Sequence, residues 1–130
     1  MIERAGAVTA QLADVWRRAI QDVAGRRGGP RYLEDVLGGI EPDSMLRSFA
    51  AAGSLWSDDA ASILVVSQRV ILALYVEPTE RRRGRGRALV TFARHEADAR
   101  DALALPGDRA MKSLYESVGW KARLLTLGDA

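Results

Sequence analysis

Cysteine is absent from this 130-residue chain, which excludes disulfides and thiolate nucleophiles and fits a reducing compartment. Histidine occurs once, as His95, so a histidine-rich metal centre has no ligands to draw on, and no Ser/His/Asp set follows from spacing. No apolar run approaches the roughly 20 residues needed to cross a bilayer. The opening MIERAG is charged where a secretory signal needs an apolar core, so a cytoplasmic location without membrane attachment is expected. Lysine is scarce: Lys112 and Lys121 leave 17 arginines among 19 basic residues, a bias that weakens the meaning of any single arginine. The net charge of +2 gives no global reason to expect nucleic acid as a partner.

What the chain does contain is 48% hydrophobic residues, enough for one core in one domain spanning 1–130. A short strand over 2–5 is expected first. Leu12, Val15, Trp16, Ala19, Ile20 and Val23 then recur at helical spacing behind a Thr9 cap. Gly25 and Gly28-Gly29-Pro30 end that helix, and a short helical turn is expected over 32–37. Pro42 opens a further helix that Gly53 stops. From Ser54 the period changes to that of strands, expected at 55–56, 62–66 and 70–76 with tight turns between. The last of these is nearly all apolar, as a strand covered on both faces should be. A helix to about Arg100, a strand over 102–105, an Asp108-capped helix over 109–118 and a last strand over 122–127 complete the pattern.

Chemistry concentrates in VILALYVEPTERRRGRGRA, Val70 to Ala88. An apolar strand breaks at Glu77-Pro78, passes an arginine-rich glycine loop and enters a helix. Free amides and the positive dipole end at a helix start suit an anion, and glycines let it approach the backbone. The flanking arginines add charge-assisted donors. No Gly-Lys-Ser/Thr follows, so this is not a P-loop, and Leu89 stands where a dinucleotide fingerprint needs its third glycine. A phosphate-bearing ligand is expected.

Arg81, Gly84 and Gly86 form R-x-x-G-x-G after a strand ending in Val76, which resembles the pyrophosphate loop of the GNAT superfamily of acyl-CoA-dependent N-acyltransferases. Downstream, GDRAMKSLYESVGW (Gly107 to Trp120) is similar to that family's final helix, with Tyr115, Gly119 and Trp120 at its Tyr, Gly and aromatic positions. The resemblance implies an α/β fold in which helices flank a mixed central sheet, in the order β-α-α-β-β-β-α-β-α-β. It also implies acetyl-CoA as co-substrate and an amine-bearing small molecule, peptide or protein as acceptor, attacked directly in a ternary complex.

By the same resemblance, backbone groups of Leu74, Tyr75 and Val76 hold pantetheine and polarise the thioester. Arg81, Arg82, Arg83, Gly84, Arg85, Gly86, Arg87 and Ala88 form the pyrophosphate cradle, chiefly through the amides of 82–88. Tyr115 protonates the departing thiolate. Asp108 stands where the family often has a cofactor-contacting Asn. Val70 stands where many relatives carry a glutamate base, so no base is assigned; Glu77, Asp101, Glu34, Asp35 and Glu41 are the nearby carboxylates in pattern. The family commonly ends in two paired strands, and with so short a tail after Trp120 a second copy is expected to complete the sheet edge. Two rival readings stay open. One is a GNAT-fold protein that binds CoA without catalysis, and the other is a nucleic-acid module using the arginine run, which lacks an aromatic platform or recognition helix beside it.

Overall fold

A computed structural model describes residues 1–128. In chain order the elements are β1 (Ile2–Arg4), α1 (Ala10–Ala24), α2 (Gly29–Asp35), α3 (Pro42–Ala51), β2 (Leu55–Asp58), β3 (Ser62–Ser67), β4 (Val70–Val76), a 3-10 turn (Pro78–Glu80), α4 (Arg85–Glu96), β5 (Asp101–Ala102) and α5 (Arg109–Ser117). The α/β class with a mixed sheet is as expected. The strands lie side by side in sequence order, antiparallel from β1 to β4, with β5 parallel to β4.

Local chemistry sets most boundaries. Thr9 accepts from the Leu12 N–H to start α1, and Glu41 accepts from the Asp43 and Ser44 N–H groups ahead of Pro42 in α3. Asp108 caps α5 through the Met111 N–H. The β2–β3 and β3–β4 hairpins turn through Asp59-Ala60 and Gln68-Arg69, all with positive φ and none of them glycine. Such turns match the right-handed twist of the flanking strands, which offsets the backbone cost.

Alternation along β3 divides the core. Ile63 and Val65 face α1 and α3 with Val15, Trp16 and Leu46, while Leu64 and Val66 face α4 and α5 with Leu89, Val90 and Tyr115. Both faces of the sheet are therefore covered, as the apolar sequence of β4 requires.

The register of β4 contains a bulge. Val65 pairs with Ala73 but Val66 pairs with Ile71, so Leu72 is an extra residue on β4 without a partner on β3.

Three expected elements sit differently by several residues, and a fourth is absent. The short second helix begins at Gly29, ahead of the expected 32–37, with Pro30 in its first turn where no N–H is needed. The helix expected to reach about Arg100 ends at Glu96, because Asp98 adopts φ +53°. The strand expected over 102–105 is instead Asp101–Ala102. After a last bond from the Leu103 N–H to the Ile71 carbonyl the chain leaves β4 to reach the Asp108 cap. The last strand expected over 122–127 does not form. That segment has no strand partner among the described residues, and Leu124 and Leu127 are more than four-fifths exposed.

Candidate functional site

The early departure of the chain from β5 opens a gap beside the second half of β4. Glu77 donates its N–H to the Ala61 carbonyl of the β2–β3 turn, which extends the β3–β4 ladder. By antiparallel alternation, Tyr75 and Ala73 also bond toward β3, and the backbone groups of Leu74 and Val76 point into the gap. Apart from the Val76 carbonyl, which Arg81 occupies, these are free edge groups that an extended ligand can pair with.

At the Val76 end of this edge stands the start of α4. Gly84, at φ +78°, is its N-cap and supplies no side-chain cap, while the first intrahelical bond runs from the Ala88 N–H to the Gly84 carbonyl. The N–H groups of Arg85, Gly86 and Arg87 therefore remain orphan donors at the positive end of the dipole. Arg82, just before, also has positive φ (64°), which turns the loop around the helix start.

A cavity of about 440 Å³ joins these features. Leu74, Tyr75, Val76, Arg81, Arg82, Gly84, Arg85, Gly86, Arg87, Asp108 and Tyr115 all line it. Arg83 and Ala88 do not. Arg83 is exposed and pairs with Glu80 at 3.4 Å, and Ala88 lies on a shallower depression with His95, which is exposed.

The arginines of the loop divide by partner. Arg81 folds back, its Nε donating to the Val76 carbonyl at 2.9 Å and its guanidinium lying 5.5 Å over the Tyr75 ring. Arg85 bridges Asp58 at 2.6 Å and Glu80 at 3.0 Å. Burial opposes the Asp58 charge, but the amino terminus and Arg85 together outweigh it and hold that carboxyl below the usual range. Arg82 and Arg87 have no carboxylate partner among the described residues, and both face the cavity. Gly86 serves packing as well as approach, since a Cβ there would sit 3.1 Å from Leu114 Cδ2 on α5.

Tyr115 projects from α5 into the same space. Its ring stacks on Trp120 at 5.8 Å and 18°, and its hydroxyl has no hydrogen-bond partner among the described residues. Burial, with smaller contributions from Tyr32 and Asp108, pushes this phenol up, so it stays protonated as a donor.

Apart from Glu34, the carboxylates named in the sequence are engaged. Glu77 accepts from Arg18 Nε at 2.9 Å and from the Tyr75 hydroxyl at 3.4 Å. Asp101 pairs with Arg123, Asp35 with Arg31, and Glu41 is a helix cap. Glu34 is exposed and does not line the cavity. The two carboxylates that do line it, Asp22 and Asp108, both face Arg26 at 3.1 and 3.8 Å.

Sequence reasoning missed the inner wall. Tyr32 on α2 donates its hydroxyl to the Leu72 carbonyl at the bulge, and Leu37 and Ala19 close the space behind it. Only the apolar periodicity of α1 hinted at this wall, and it marked those residues as core.

A family model described as the acetyltransferase (GNAT) domain matches residues 48–122, from the last turns of α3 to just beyond Trp120. That span holds β2 to β5, the glycine loop, α4 and α5. A search of curated proteins finds no match.

Proposed function

The chain belongs to the GNAT acetyltransferase family, and we propose that it transfers the acetyl group of acetyl-CoA to an amine by direct attack within a ternary complex. The observation that carries this reading is one cavity joining a helix start with no side-chain cap, a strand edge with free N–H groups and a buried phenol. Its parts fit acetyl-CoA in order: the amides of 85–87 with Arg82 and Arg87 for pyrophosphate, the Leu74 and Val76 edge for pantetheine, and Tyr115 at the sulfur.

When bound, acetyl-CoA supplies an acyl group activated as a thioester. Transfer forms the amide C–N bond and breaks the C–S bond, and the leaving sulfur takes a proton while the amine gives one up. The Tyr115 hydroxyl stands as donor to that sulfur. The free N–H groups of the β4 edge hold the thioester and oppose charge growing on its oxygen, an effect that costs roughly 100- to 1000-fold when one such donor is removed. With the cavity carboxylates already paired to Arg26, the amine proton leaves to water.

That pairing also favours a second reading, CoA binding without turnover. Calorimetry with acetyl-CoA, CoA and a 3′-dephospho analogue tests the first step. Saturable binding that weakens with added salt is expected for a phosphate cradle. A folded sample that takes up none of the three would overturn the cofactor assignment, and tight binding without turnover across a broad amine panel would select the second reading.

A further inference from the structure

The cavity does not stop at the strand edge. It passes the gap between β4 and β5 and continues to the α1–α2 side of the sheet, where Trp16, Ala19, Ile20, Tyr32, Leu37 and Leu72 line it. Trp16, Ala19 and Leu37 are core residues, so this inner end reaches the core itself.

We propose that this inner chamber is an acyl pocket, and that the preferred donor is an acyl-CoA whose chain is several methylenes longer than acetyl; the inference rests on the CoA reading above. Direction comes from the loop and the bulge. A ligand with phosphates at the α4 start enters at the Val76 end of β4, so its far end points back along the strand toward Leu72. The chamber opens at that point.

The wall then selects the guest. Its polar atoms are already used: Trp16 Nε1 donates to the Pro42 carbonyl at 2.8 Å, and the Tyr32 hydroxyl donates to the Leu72 carbonyl. The lining carboxylates Asp22 and Asp108 face Arg26, so none is left to receive an ammonium. A cationic acceptor would lose its hydration there without replacement, whereas an alkyl chain would gain by leaving water. Ala19 and Ala73 are the small side chains that leave the room.

The test is calorimetry with CoA, acetyl-CoA, hexanoyl-CoA and octanoyl-CoA on the intact chain. A buried methylene contributes a factor of about four. Hexanoyl-CoA, with four more, is therefore expected to bind up to about 250-fold tighter than acetyl-CoA, and at least about tenfold tighter if only two of the four are buried. Ala19→Phe fills the chamber and erases that ratio. Ala73→Leu does the same from the strand side, should the first variant melt before measurement. If CoA and acetyl-CoA bind but the longer chains bind equally or more weakly, the acyl pocket is wrong and the cofactor assignment stands. A ratio that survives in both folded variants also overturns the pocket. Failure of every CoA species to bind a folded sample removes both readings together.

Discussion

The hydroxyl of Tyr32 on α2 donates to the main-chain carbonyl of Leu72, the extra residue of the β4 bulge. This bond ties the α2 side of the cavity to the one point of β4 that has lost its β3 partner. Tyr32→Phe leaves that carbonyl without its donor and is expected to cost about 1–2 kcal/mol, read from urea denaturation. An unchanged midpoint would mean that the bulge is held by packing alone.

The same burial sets an alkaline limit on stability. Burial pushes the phenols of both Tyr32 and Tyr115 up. Above about pH 10 the unfolded chain releases tyrosine protons that the folded chain retains, so the unfolded state binds fewer protons and stability falls as pH rises. The urea midpoint is expected to hold from about pH 8 to about pH 9, to be lower at about pH 10.5 and to keep falling above it, with a smaller fall in Tyr32→Phe, which has one such phenol fewer.

Tyr115→Phe keeps the ring that stacks on Trp120 and removes only the hydroxyl facing the cavity. Turnover with an accepted amine is expected to fall by roughly 100-fold or more, with acetyl-CoA affinity preserved. Equal turnover in the two proteins would assign Tyr115 to packing.

Two arginines two positions apart should behave differently. Arg85 is held by Asp58 and Glu80, so Arg85→Gln is expected to lower the melting temperature. Arg87 faces the cavity without a carboxylate, so Arg87→Gln is expected to leave melting unchanged and weaken CoA binding by roughly tenfold at low salt. The reverse pattern would move the phosphate contact from Arg87 to Arg85.

Gly29 and Gly25 form a second contrast. A Cβ at Gly29 would lie 1.7 Å from the Val23 carbonyl oxygen, a backbone atom that cannot swing aside. Gly29→Ala is expected to cost about 3 kcal/mol or more. At Gly25 the nearest atoms are 3.8 Å away, so Gly25→Ala is expected to be neutral or to stabilise by up to about 1 kcal/mol. Thermal and urea unfolding of the pair give both signs.

The strand, the loop and the start of the following helix were legible over 70–88 because each of their signals is local. An apolar run, a proline break and a glycine that accepts positive φ act within a few residues, and β4 has its expected ends. The Asp108 cap was legible for the same reason. Leu103 to Leu105 and 122–127 were misread as strands because an apolar run becomes a strand only beside a neighbour. Leu103 makes one bond to β4 and then turns toward α5, and 122–127 meets no strand among the described residues. The bulge at Leu72 was invisible for a related reason, since an extra residue exists only relative to the strand opposite.

The chain by itself settled its helix caps, its glycine turns and the apolar alternation that puts β3 and β4 between two helical layers. Those depend on short-range sterics, backbone donors and the period of burial. Folding in three dimensions settled which arginines remain free, which carboxylates are neutralised and where the cavity ends. Arg85 meets Asp58 across 27 residues of sequence, and Tyr32 meets Leu72 across 40. Charge and hydrogen bonding act over a few ångströms of space, and only the packed chain brings such distant residues within that range.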